Sequence, residues 1–454
     1  MSKKIIPLVL ILSIFFSAQI KSQTSDQQIL PLRERVEIIN NLLEEKFEIV
    51  LPELMRREGI DMWVIASEEL NGDPVIKTML PATSLYISRR TIIVMHDEGP
   101  EKGVKKYSVN KKDFGKHFKK TWYDNKVPNT EAEDYQWKRL GELVAELNPK
   151  KIGINTSNIW AAADGLSHTE YELFVQNLPE KYHKSIVSAE RLGVAWLETR
   201  SPSEITIYEQ ICRIAHNIIR EGLSDKVIHP GITTTDDVVW FYREKIAEYK
   251  MKAWFQPSCS IQRIFPEEGQ KVDKKVIMPG DVVHMDMGIV YLRLCTDMQE
   301  NAYILRPGER DAPDYVKKAL ANSNRLQDIL ISKIEIGKTG NQILKETLAQ
   351  MKDEGIEGSI YCHPIGYHGH AAGSTFGMWD MQEGVPGKGD YEVNLNTAYS
   401  IELNASTTIP ELNNIKLRFA LEEDGIITKK GFRYIDGRQK ELLLVPRVAK
   451  HLKQ

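Results

Sequence analysis

Cysteine is scarce: Cys212, Cys259, Cys295 and Cys362 are the only four in 454 residues, and no two of them stand in a CxxC spacing. Neither a thiolate zinc site nor a disulfide framework is signalled. An excess of one charge is also missing. With 60 basic against 63 acidic residues and a formal net charge of −3, the chain has no electrostatic footprint for nucleic acid. Basic runs such as Lys271-Val272-Asp273-Lys274-Lys275 read as solvated loop faces. Internal repeats and low-complexity segments are absent too. The apolar run near the N-terminus, Ile5 to Ala18, has 14 residues, where a membrane-spanning helix needs roughly 18 or more.

That short run follows Lys3-Lys4 and gives way to polar sequence at Gln19 to Gln23, the pattern of a secretory leader. Residues 1–23 are expected to be a signal peptide, cut after Ala18 or near Gln23. The mature protein is then soluble, secreted or periplasmic, with no membrane attachment, and no cysteine follows the run to carry a lipid. Export permits disulfides, and the sequence does not demonstrate one. Length and a hydrophobic content of 42% allow more than one packed core. Two folded domains are expected, at 24–194 and 195–454.

The first is α/β. Val36, Ile39, Leu42, Leu43, Phe47, Val50 and Leu51 recur at helical spacing between Leu30 and Glu58. Strands follow at Ile60–Ala66, Arg90–Met95 and Lys151–Asn155, and helices at Glu131–Leu147 and Thr169–Val175. No metal-ligand cluster stands out there. The lead-in to the second domain places Ser201 before Pro202 and Glu204, a helix N-cap with proline in the first turn.

Chemistry is concentrated in that second domain. Asp286 and Asp297 are acids set in apolar strand-like sequence, where an unpaired carboxylate is costly to bury. On one continuous strand they would face opposite sides, roughly 36 Å apart at about 3.3 Å per residue. A reversal near Gly288 to Arg293 makes two antiparallel neighbours whose acids share a cation. The segment Tyr361 to Gly373 holds His363, His368 and His370 among glycines, a composition suited to a metal. Ser400, Glu402 and Asn404 share a strand face, and Glu422-Glu423-Asp424 sets further acids in another strand. Glu422 and Glu423 point to opposite faces. Cys295 and Cys362, inside these segments, read as small buried filler. The turn-rich loop from Gly373 to Asn394 lines a pocket or simply connects.

Taken in order, Asp286, Asp297, Gly369-His370-Ala371-Ala372-Gly373, Ile401-Glu402 and Leu421-Glu422 resemble the motifs of the creatinase, prolidase, Xaa-Pro aminopeptidase and methionine aminopeptidase superfamily. The resemblance covers about Ala195 to Pro446 through motifs and the preceding domain more loosely. It implies a creatinase-like α/β N-terminal domain followed by a pita-bread α+β catalytic domain. It further implies that Asp286, Asp297, His370, Glu402 and Glu422 hold two divalent metal ions, with His368 the rival to His370 and Glu423 the rival to Glu422. His363 is similar to a histidine that contacts substrate or shuttles protons, so His363 and His368 are the candidate catalytic residues.

Four carboxylates and a neutral imidazole carry about −4, which balances two divalent cations. The oxygen-rich ligand set suits manganese, zinc, cobalt or iron, and the resemblance favours manganese. The implied activity is hydrolysis of the N-terminal bond of a peptide substrate, with proline next in line, by a chain that is a candidate homodimer. Departures keep open a second reading, a non-peptidase binding protein that retains the fold. Pro257 to Arg263 contains no histidine, Met298-Gln299-Glu300 contains no arginine, and Gly377-Met378-Trp379-Asp380 has tryptophan where relatives have histidine. A metal-free creatinase-like hydrolase fits the retained carboxylates poorly.

Overall fold

The computed structural model describes residues 29–122, 128, 131–264 and 275–447. The expected leader, residues 1–23, and most of the basic run at 271–275 lie outside the described residues. No helix among the described residues is long and apolar enough to cross a membrane, and all four cysteines are free.

Alternation along Met62–Ser67 explains the first sheet. Trp63 and Ile65 enter one core with Leu54, Met55 and Trp196, while Met62, Val64 and Ala66 enter another with Trp137, Leu140 and Phe174. A strand buried on both faces needs a layer of helices on each side. The sheet has six strands in the order Lys119–Lys120, Val104–Ser108, Thr91–Asp97, Met62–Ser67, Ile152–Ile154 and Ile186–Ser188. The apolar stripe from Leu30 to Glu58 is helical, as its spacing implies, with one irregular turn. It runs as Leu32–Glu45, a π-helical turn at Lys46–Val50 and Leu51–Glu58.

The second half is built from two larger sheets, each backed by a pair of helices. One carries Leu443–Val445, Met298–Ile304, Asp281–Met287 and Ser258–Arg263 in that order and packs on helices Pro202–Gly222 and Thr235–Glu248. The other pairs Glu357–Ile365 with Ala398–Ile409. The long strand Ala398–Ile409 then pairs with Ile415–Leu421 along one half and Asp424–Thr428 along the other, and helices Asp314–Lys333 and Gly340–Asp353 cover this sheet. A single antiparallel bridge between Gln299 and Glu422 joins the two sheets. The fold is the two-domain α/β and pita-bread arrangement.

The reversal after Asp286 is a short hairpin, Ile289–Tyr291 against Leu294–Cys295. Leu292 and Arg293 turn it at φ of 52° and 70°, the left-handed pair that a tight hairpin requires. Arg293 donates to the Leu80 and Pro81 carbonyls, which ties this turn to the first half.

A second tie is ionic. Lys46, the first residue of the π-helical turn, is fully buried with its ammonium 4.4 Å from the centre of the Tyr367 ring. Arg200 stacks over the same ring at 4.4 Å, and the Tyr367 hydroxyl donates to Glu204 at 2.5 Å. Burial, and then Arg200, pull the Lys46 pKa well below the usual lysine range. Against its own burial, Glu204 is held low by Arg200 and Lys46.

Ser201 closes this joint. Its hydroxyl accepts from the Glu204 N–H in a capping box and donates to Glu45 of the first helix at 2.6 Å. Ser201→Ala is expected to destabilise the protein by about 0.5–2 kcal/mol, measured as a fall in the thermal unfolding midpoint. No fall would mean that the cap does not hold the joint.

Candidate metal centre

The site lies where the two large sheets meet. Asp281–Met287 and Met298–Ile304 are antiparallel, with Asp286 opposite Gln299 and Met287 opposite Met298. Asp297 immediately precedes the second of these strands. The bridge from Gln299 to Glu422 brings the second sheet alongside, and Ala398–Ile409 contributes Ser400 and Glu402.

Three overlapping groups of potential ligand atoms result, each with its atoms within 4.8 Å of one another: Asp286, Asp297 and Glu422; His363, Glu402 and Glu422; and Asp297, His363 and His370. Thus Asp286, Asp297, Glu402, Glu422 and His370 are all brought together. His363 reaches furthest in. Its Nε2 lies 3.8 Å from both Asp297 Oδ2 and Glu422 Oε1, and its Nδ1 lies 3.0 Å from the Pro364 carbonyl. The carbonyl is an acceptor, so Nδ1 carries the proton and Nε2 presents a lone pair to two carboxylates. Burial and then His370 press the His363 pKa down to about 3. The ring is neutral at ordinary pH, the state a metal ligand requires.

His368 is not part of these groups. It lies in the loop beyond the strand Glu357–Ile365, and after burial the groups that lower its pKa are Arg200 and Lys77. His370 is exposed, 4.7 Å from His363 ring to ring. Glu423 faces away from the cluster and contacts His216.

The donors present do not neutralise so many acceptors. Gln299 offers its amide to Glu402 and Glu422, at 2.7 Å each, and is itself held by His284 at 2.9 Å. Ser400 donates to Glu422. Asp286 Oδ1, Asp297 Oδ1 and His363 Nε2 are buried with no hydrogen-bond partner. Burial, with Glu422 next, raises the pKa of Asp286 and Asp297 well above the carboxylate range. Burial and Asp286 bring Glu402 to about 8. Converging lone pairs on buried acids and a neutral imidazole are the donor set that divalent cations satisfy.

Gln299 and His284 escaped the sequence reading. Each is a single polar residue in an apolar strand, and only the register opposite Asp286 marks Gln299. Around the mouth stand aromatic rings: Tyr361 lies 5.1 Å from His363 and 5.8 Å from Trp379, and Trp254 lies 5.1 Å from His370. The loop from Gly373 to Asn394 therefore reaches the site through Trp379.

Two measurements follow. A carboxyl that binds its proton more tightly when folded contributes stability that is complete below its unfolded pKa and is lost as pH rises through the folded one. For Glu402 that window runs from about 4.5 to about 8. The metal-free protein is expected to lose thermal stability as pH rises across it, and saturating Mn2+ or Zn2+ to remove that loss. A flat metal-free profile would contradict the raised carboxyls. In variants assayed by elemental analysis, His363→Gln is expected to lower metal content most and His370→Gln less. His368→Gln should leave it unchanged, and a fall there equal to His363→Gln would reassign the ligand.

Residues 206–419 match the profile of metallopeptidase family M24, so Glu422 lies just past the matched segment. The chain is 25% identical over 249 residues to the uncharacterized peptidase YqhT of Bacillus subtilis (strain 168), a match spanning 54% of this chain and 64% of that protein. Among solved structures it is similar to an X-Pro aminopeptidase from Thermotoga maritima MSB8, with a TM-score of 0.58 and 16% identity over 87% of this chain and 100% of that one. A Xaa-Pro dipeptidase from Bacillus anthracis gives a TM-score of 0.55 and 18% identity over 89% and 99%. At these identities the structural likeness establishes the fold.

Proposed function

We propose that this chain, whose residues 206–419 match the profile of metallopeptidase family M24, is an exported aminopeptidase of that family. In this reading two divalent metal ions serve hydrolysis of the N-terminal bond of peptides, with proline as the second residue. The observation that carries it is the convergence of unpartnered acceptor atoms from Asp286, Asp297 and His363 on the junction shared with Glu402 and Glu422. A binding protein would not need so costly an arrangement.

Asp286, Asp297, Glu402 and Glu422 would hold the ions, with imidazole from His363 and His370. When bound, a pair of such ions supplies an activated water and polarises a scissile carbonyl. The chain's own residues do the rest. Gln299 orients Glu402 and Glu422 through its two N–H groups. His363, neutral and fixed by the Pro364 carbonyl, keeps its lone pair toward the acids. Trp254, Tyr361 and Trp379 offer ring faces on which a proline ring packs.

Manganese is the proposed metal, with zinc or cobalt as substitutes. Export rests on the leader at residues 1–23, and the domain at 24–194 is proposed to shape access or to mediate association.

A mixed peptide library incubated with the Mn2+-loaded protein and read by mass spectrometry tests this. Loss of the first residue from Xaa-Pro peptides is expected, and Asp297→Ala is expected to abolish it while the chain stays folded. Release of other N-terminal residues with Xaa-Pro bonds intact would remove the proline preference. No cleavage at all with metal bound would favour the binding protein.

A further inference from the structure

Directly behind the metal centre lies a second group of charges, buried apart from Arg220, built on one face of the helix Pro202–Gly222. Tyr208, Cys212, His216 and Arg220 follow one another at four-residue intervals and so share that face. Each meets the back of the site. Tyr208 donates to the Cys295 carbonyl, and Cys212 donates to Asp424 at 3.5 Å. Arg220 lies 3.9 Å from Glu300.

His216 has the closest contacts. Its Nε2 is 2.8 Å from Glu423 Oε2 and 3.9 Å from Glu300 Oε1, and its Nδ1 is 3.0 Å from Asp436 Oδ2. His216, Glu300 and Glu423 are all at most 2% exposed, and Glu300 Oε2 has no hydrogen-bond partner. These three residues could in principle take an ion. The distances say otherwise. A metal ligand needs a lone pair on one ring nitrogen, whereas here both nitrogens face carboxylate oxygens at hydrogen-bond length, the arrangement of an imidazolium that donates from each. Burial would strip a proton from the ring, but Glu423 and Asp436 outweigh it and raise the pKa to about 10.

The consequence reaches the front of the site through one residue. Glu423 is held by His216 on one carboxylate oxygen and by the Gln439 N–H, at 2.9 Å, on the other. Its carbonyl accepts from the N–H of Ile401, next to Glu402. Glu422, its chain neighbour, points the opposite way into the cluster. Glu300, in the segment that lacks an arginine, lies 3.9 Å from both His216 and Arg220, and burial and then Glu423 raise its pKa to about 7.

We propose that His216 is a positioning residue for the metal centre: as a buried imidazolium it clamps Glu423, and thereby sets the direction from which Glu422 and Glu402 meet the ions. This rests on the metal-site reading above. The test uses the full chain. Nitrogen NMR of histidine-labelled wild type at neutral pH is expected to show the His216 ring protonated on both nitrogens, and calorimetry with Mn2+ is expected to give His216→Gln a Kd about 10- to 100-fold higher.

Glu423→Gln in the His216→Gln background is expected to recover most of that affinity, because it removes the carboxylate that loses its imidazolium partner. Loss of mere packing would not be rescued by it. Should His216→Gln fail to fold, Asp436→Asn at the edge of the network is expected to give a smaller rise in Kd. An unchanged Kd in these variants, with wild type binding normally, overturns the proposal. So does a neutral His216 ring, or an additional ion lost specifically in His216→Gln. Wild type that binds no Mn2+ at all fails the metal-site reading itself, and His216 then has nothing to position.

Discussion

Repulsion among buried acids is the constraint around which the second half is organised. Asp286, Asp297, Glu402 and Glu422 are gathered from separate segments into overlapping groups whose ligand atoms lie within 4.8 Å, in surroundings where like charges interact far more strongly than in water. Nothing in an apolar core does this unaided. The amide of Gln299 stands between two of the carboxyls, Ser400 donates to one, and raised pKa values let protons supply what the donors do not. The single bridge between Gln299 and Glu422 places this arrangement where the sheets join, so the charges and the sheet junction are positioned by the same pair of residues.

The strand period organises charge in depth as well. On Met298–Ile304, Gln299 faces the carboxyl cluster while its neighbour Glu300 faces the helix behind. Glu422 and Glu423 repeat the division. Two layers of acid therefore lie back to back across one thickness of sheet. The front layer presents unpartnered acceptors, and the rear layer meets His216 and Arg220.

How much of this could be read in the sequence depended on whether a period was available. Asp286 and Asp297 demanded a reversal because strand geometry forbids any other way of sharing a cation, and the hairpin at Leu292 and Arg293 supplies it. Alternation likewise separated Glu422 from Glu423. The histidines offered no such rule. His363 lies in a strand and takes its direction from it, whereas His368 and His370 sit in a glycine-punctuated loop, where His370 packs against the rings of Trp254 and Tyr361 from elsewhere in the chain. His216 was hidden differently, as one polar position on a helix face otherwise read as core. The π-helical turn at Lys46–Val50 leaves the apolar spacing intact, so the spacing gave no sign of it.

That turn carries Lys46 into a place that its own half of the chain cannot provide. Its ammonium lies against Tyr367 and near Glu204, both of which follow far later in the sequence. Its burial depends on residues from separate parts of the chain. A change at Lys46 therefore acts on both halves at once, because its ammonium lies against Trp196 of the first core as well as Tyr367 of the histidine loop.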